Sequence, residues 1–386
     1  MRFSAQPVWQ AGFRPFFALA GLAGMVLPLV WVLIYAGQLR PPLISFSIVQ
    51  WHAHEMFFGF GGAVLAGFLL TATKNWVQIR GYHGGALVFL AAAWLAERCV
   101  MSCAALLPAA LFWFANMLFL GALIVMVMWT LIRHHGNDTF RDNYFFLLSL
   151  PLFLLAKVLL LDAEYLQQGV DMCIALYRLV FLIMFERTLT QFMRNVFNAT
   201  ILRRAWLDWS IKALALALVG ASALPPLVAA AMDTLLALLL LARFIFWQPA
   251  LALRRLEIGI MYLGYLGIVT QLGVAALYRL APPDWLGSVS VHVFSFGVMG
   301  LVIPAMIVRI SKGHTGRKVQ FAAPDKFVLW LMLAALVLRL LLPQWAPGAY
   351  LSWLALSAAC WAGAFTLLTW RCLPLLLRAR VDGREG

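Results

Sequence analysis

The chain has 386 residues, is 64% hydrophobic and only 11% charged, and has a mean hydropathy of +0.90. A soluble domain cannot bury that much apolar surface, so the fold expected is an all-α polytopic membrane protein. A barrel is disfavoured because the apolar runs are continuous and lack alternation. The net charge of +14 raises nucleic acid as a partner, but the bases sit in short connections between apolar runs, which marks orientation in a lipid bilayer instead.

The first apolar run, 16–37, is too long for a signal-peptide core of about 7–15 residues and reads as a retained span. Eleven more are expected at 50–73, 84–103, 109–132, 143–162, 170–192, 206–224, 226–247, 259–280, 286–310, 325–343 and 349–373. Pro225-Pro226 marks a tight turn between the seventh and eighth. Lys74, Arg80, Arg194, Arg203, Arg204, Arg254, Arg255, Lys312, Arg317, Lys318, Lys326, Arg378, Arg380 and Arg384 all fall on the side of the N-terminus. The opposite connections are poor in base, and 162–171 carries Asp162, Glu164 and Asp171. Both termini are therefore expected in the cytoplasm, with residues 1–386 forming one membrane domain. The five cysteines contain no C-x-x-C pair and read as small buried thiols.

This topology gathers polar residues in the outer half of the bilayer. His52, His54 and Glu55 open the second span, Glu97 and Arg98 close the third, and Lys157 closes the fifth. Tyr177 and Arg178 lie about two turns into the sixth, Asp233 at similar depth in the eighth, and His292 near the start of the tenth. A charge near the bilayer centre costs ~2.5–3.5 kcal/mol, so something should compensate these groups.

A metal or haem is the sharpest candidate at Trp51-His52-Ala53-His54-Glu55-Met56. On a regular helix His52 and Glu55 share a face that Gly59, Gly62 and Ala66 continue, small enough for another backbone or a flat macrocycle. His54 is rotated about 200° from His52, so either the first turn is irregular or the two serve different partners. The bland reading is an interfacial stretch with both imidazoles bonded to carbonyls. His292, with Phe296 and Met299 on its face, reads as an axial ligand beside an apolar wall, or as ordinary packing.

Glu55, Glu97 and Asp233 are candidates for orienting the imidazoles or relaying protons. Arg98 and Arg178 need anions: Glu97, Glu186 or a cofactor carboxylate. An internal Arg–Glu pair is the structural alternative, and Lys157 reads as snorkelling outward. Gly313-His314-Thr315-Gly316-Arg317-Lys318 reads as a glycine-ended helix and a basic turn. No phosphate-binding loop, nucleophile elbow or dinucleotide fingerprint is present.

Trp51 to Met56, then Gly67-Phe68-Leu69-Leu70-Thr71-Ala72 and Asn75-Trp76, resemble the NnrS family. So do Gly300 to Arg309 leading into Gly313 to Arg317, and the opening Gly12-Phe13-Arg14-Pro15-Phe16-Phe17. The resemblance implies a twelve-span bacterial inner-membrane protein holding haem b and copper, in a setting of denitrification and nitric oxide stress. Given those cofactors, the residues read above give His52, His54 and His292 as the metal ligands expected, Arg98, Arg178, Phe296 and Met299 as the cofactor contacts, and Glu55, Glu97 and Asp233 as the catalytic carboxylates. The chain departs from many relatives at Glu186-Arg187, where they read Gly-Arg with a proline before the following turn.

The function expected is nitric oxide handling: binding at a reduced metal, extended to reduction to nitrous oxide with a membrane quinol as donor. Two other classes stay open. A twelve-span transporter also suits buried charges, and a non-catalytic haem or nitric oxide binder would need no electron donor.

Overall fold

A computed structural model describes residues 3–281, 283 and 287–383. Among these, twelve helices are long and apolar enough to cross a membrane. They are α1 Phe13–Tyr35, α2 Ile48–Trp76, α3 Gly85–Ser102, α4 Ala109–Arg133, α5 Arg141–Leu161, α6 Leu166–Phe197, α7 Ala205–Ala223, α8 Pro226–Phe246, α9 Leu256–Leu280, α10 Val289–Gly313, α11 Ala323–Trp345 and α12 Pro347–Leu377. Each falls within a few residues of its expected span. Residue 286, the expected start of the tenth, and Arg384 lie outside the described residues.

α6 outruns its expected bounds the most, and its composition explains why. No proline interrupts Leu166–Phe197, so the helix continues through Glu186 to Phe197. α2 begins where Ser47 caps it: Ser47 Oγ accepts from Gln50 N at 3.2 Å, while Gln50 Oε1 accepts from Ser47 N at 2.9 Å.

The chain divides into two compact units. The first comprises Met1–Gly169, Met306–Val328 and Trp361–Gly386. Within it, glycines set the approach of α1 to its neighbours. A Cβ on Gly67 would meet Phe17 at 2.8 Å, and one on Gly24 would meet Phe365 at 2.7 Å, so these small residues let apolar rings close the gap. Phe16, Phe58, Phe60 and Phe119 are all buried in this unit. Backbone bonds tie its connections together at two ends. Gly84 N donates to Trp9 O and Val381 N to Thr315 O at the N-terminal end; Leu43 N donates to Ser102 O at the other.

The second unit comprises Val170–Ala305 and Leu329–Cys360. Its α8 packs along α9, pinned by Tyr262 Oη donating to Trp247 O (2.6 Å) and Tyr265 Oη to Leu240 O (3.0 Å). α9 meets the first part of α10 at glycines: a Cβ on Gly267 would stand 2.6 Å from Gly297 O. At one end Glu186 contacts Lys212 (3.1 Å), Arg243 (3.8 Å) and Arg203, while Asp208 contacts Arg243 (3.4 Å) and Arg203 (3.1 Å). Glu186 thus serves this network and is not the partner of Arg178.

Candidate functional site

In the first unit, α2, α3, α4 and α5 converge on a buried ionic cluster. Glu97 Oε1 stands 2.5 Å from Lys157 Nζ, 2.6 Å from Arg98 Nη2 and 3.4 Å from His54 Nε2. Glu55 Oε2 is 3.4 Å from Arg98 Nη1, and Glu55 Oε1 is 3.4 Å from His54 Nδ1. Two carboxylates face two cations, so the cluster is neutral as a set, which is what makes its burial tolerable. Lys157 does not snorkel outward as expected. Its ammonium is fully buried and also donates to Asn116 O at 2.5 Å, because a buried carboxylate holds it more strongly than the distant interface could.

His54 is oriented by Asn116, whose Nδ2 lies 3.2 Å from the ring Nε2. An amide N–H donating there leaves the ring proton on Nδ1, facing Glu55. Seven buried atoms in the cluster make no hydrogen bond: His54 Nδ1, Glu55 Oε1, Glu97 Oε2, Asn116 Oδ1 and the three guanidinium nitrogens of Arg98. Buried polar atoms are normally satisfied, so orphans here mark a place where another group belongs.

The two histidines part company. His52 stacks on Trp31 with ring centroids 4.1 Å apart, while His54 joins Glu55. Both lie in the regular helical stretch Ile48–His54, where a two-residue step turns the side chain about 200°, so they serve different partners. Downstream, residues Glu55–Phe60 form a π-helix and the regular spacing breaks within α2. One extra residue per turn rotates whatever follows by about 100° from the regular spacing. Gly59 stays beside Glu55, but its face is filled by α3. Trp94 Nε1 donates to Gly59 O at 3.0 Å, and a Cβ on Gly59 would meet Arg98 Nη1 at 2.2 Å. Gly62 faces Phe119 of α4. Side chains, not a second backbone, occupy that face.

The second unit repeats the device. Residues Ser295–Gly300 of α10 are also π-helical. His292 therefore stands three residues before a π segment, as His52 does. Pro304 has no N–H to offer the Gly300 carbonyl, which favours the irregularity in α10. His292 Nδ1 is 2.7 Å from Ser288 O; a carbonyl only accepts, so Nδ1 carries the proton and Nε2 keeps its lone pair. Arg339 Nη2 lies 3.4 Å from Nε2. Phe296 lies beside the imidazole, centroids 6.0 Å apart, and Met299 is buried.

Arg178 and Asp233 line a small polar cleft with Asp171, Ser222, Gln271 and Arg279. Arg279 Nε donates to Asp233 Oδ2 at 3.0 Å, and Arg178 Nη1 donates to Gln271 Oε1 at 2.9 Å. Arg178 Nε, buried, has no acceptor.

A family model described as NnrS protein matches residues 7–380. The chain belongs to the NnrS family. No curated protein matches it. The NnrS match spans nearly all of the chain, both histidine-bearing helices included. Sequence reading of this NnrS chain missed Asn116, which orients His54. Its signal was an amide alone in the otherwise apolar α4, since polar groups in spans are commonly functional. It also missed the two π segments, which carry no residue signature beyond their glycines.

Proposed function

We propose that this NnrS-family protein binds nitric oxide in the bilayer at haem b and copper and reduces it with electrons from a membrane quinol. The observation that carries the reading is the buried cluster around His54, with its unsatisfied imidazole, carboxylate, amide and guanidinium atoms. Nitric oxide is small and apolar and partitions into lipid, so a site inside a helical bundle suits it. Two nitric oxide molecules, two electrons and two protons yield nitrous oxide and water.

The residues fit the groups the family implies. A metal at His54 would take Nε2 in place of the Asn116 amide, with Glu97 beside it, and an imidazole nitrogen with carboxylate oxygens is a donor set that copper accepts. His292 has the tautomer an axial ligand needs, its second nitrogen anchored on a carbonyl. His52, His54 and His292 would hold the metals, with Phe296 and Met299 as apolar neighbours. Arg98 and Arg178 would pair with cofactor carboxylates. Bound there, the metals supply electron transfer and a ligand position for nitric oxide. Glu55 and Glu97 hold protons beside His54, with Asp233 doing so in the second unit. Among the described residues no three His, Cys, Asp or Glu side chains already form a ligand set.

The test is nitric oxide uptake by purified protein supplied with a reduced quinol. Sustained consumption with nitrous oxide release supports the reading. Uptake that stops at one equivalent per site shows a binder, and none with transport of another solute shows a transporter.

A further inference from the structure

Two motifs are not used by the site above: Gly12-Phe13-Arg14 and Gly313 to Arg317. The first unit brings them together at its N-terminal end. Arg14, the second residue of α1, is 0% exposed. Its Nη1 donates to Leu376 O (2.9 Å) and Arg378 O (2.6 Å). Its Nε and Nη2 have no acceptor. The charges that act on Arg14 are those of Arg380 and Arg317, both of its own sign. Lys74 feels Arg380, Arg14 and Arg80 in the same way. His314 lies against Phe13, ring centroids 5.6 Å apart, and its carbonyl accepts from Arg380 Nη1 at 3.0 Å. The carboxylate paired there is Asp382, on Arg380 at 2.6 Å.

Orientation in a membrane accounts for exposed bases in short connections. It does not call for a fully buried guanidinium ringed by like charges. Such a set is stabilised by an anion. Next to it, a narrow apolar groove open to the bilayer side runs between α1 and α12, lined by Phe17, Ala18, Gly21, Leu368, Leu373 and Leu376. It starts one turn along α1 from Arg14, since residues three and four apart share a face. Leu376, whose carbonyl Arg14 holds, lines it as well.

We infer that Lys74, Arg317 and Arg380, with Arg14 beneath them, bind the phosphate of an anionic phospholipid whose acyl chain lies in this groove. Basic pockets at helix ends take anionic headgroups in this way. The half-buried Lys74, Arg317 and Arg380 make the contact, and Arg14 supplies field from below. Free phosphate would match the charge but leave the groove unused. The inference is independent of haem, copper and nitric oxide.

The test uses the full chain in detergent, exchanged with phosphatidylglycerol or phosphatidylcholine and read by native mass spectrometry. The wild type should retain phosphatidylglycerol roughly tenfold better. The double variant Lys74→Gln, Arg317→Gln should lose that preference, while Arg133→Gln, an exposed base outside the ring, should keep it. Equal retention of the two lipids by the wild type overturns the assignment whether or not the variants fold. So does an equal loss in Arg133→Gln. Displacement of phosphatidylglycerol by inorganic phosphate alone would show a free-anion site and overturn the lipid.

Discussion

Lys157 Nζ stands 2.5 Å from Glu97 Oε1, and both side chains are fully buried. Removing one member of a buried pair leaves an uncompensated charge, which costs about 3–5 kcal/mol. Glu97→Gln strips the oxygen that Lys157 and Arg98 share, leaving two cations against Glu55. Lys157→Met leaves Glu97 still held by Arg98. Thermal unfolding in detergent should therefore show a larger loss for Glu97→Gln, and the double variant should be more stable than Glu97→Gln alone. A double variant that loses the sum of both singles would show that the pair carries no coupling.

Two glycines predict different costs. A Cβ at Gly59 meets the Arg98 guanidinium, which Glu97 and Glu55 hold, so Gly59→Ala should push a cation out of the buried cluster and cost about 3–5 kcal/mol. A Cβ at Gly267 meets the carbonyl of Gly297, and overpacking against backbone costs about 1–3 kcal/mol. The same unfolding assay ranks them, and a Gly59→Ala protein as stable as the wild type would contradict the packing described.

His314 provides a pH signature outside the spans. Burial first, then the charges of Lys74 and Arg380, pushes its imidazole down to about 4 from an ordinary 6.5. The folded chain then binds this proton less readily than the unfolded chain. Its contribution to stability is complete above pH 6.5 and is lost as pH falls from there toward 4. His314→Gln should flatten the melting temperature across that window. An unchanged slope would place the pH dependence elsewhere.

The two orienting contacts around the imidazoles predict separate effects. Asn116→Leu removes the amide that occupies the His54 Nε2 lone pair, so a metal no longer has to displace it and affinity should rise by about tenfold, the equivalent of one hydrogen bond of about 1.4 kcal/mol. The readout is metal titration followed by absorbance. Retained affinity at wild-type strength would make Asn116 a packing residue only.

Much of the fold could be read from the chain because bilayer thickness makes the signal long. Spans of apolar residues, Pro225-Pro226 between α7 and α8, and bases gathered on alternate connections located all twelve helices within a few residues. The cluster at His54, Glu55, Glu97 and Arg98 was legible from depth, since burying charge demands a partner. What stayed hidden depends on geometry that periodicity presumes. A 3.6-residue spacing put His52 with Glu55, whereas the Trp31 ring of α1, which spacing within α2 cannot reveal, holds His52 by stacking. Lys157 looked like a snorkelling base because its depth was visible and Glu97, sixty residues away, was not. Arg14 entered only as part of the opening motif, since nothing local shows that the carbonyls of Leu376 and Arg378 enclose it.

The most direct measurement is haem and copper content per polypeptide in protein purified from its membrane, for the wild type and for His52→Ala, His54→Ala and His292→Ala. The account predicts haem b and copper in the wild type, an absorption band that shifts on adding nitric oxide, and a fall in one or other metal in the histidine variants. Wild-type protein without either metal, or unchanged content in all three variants, would contradict it.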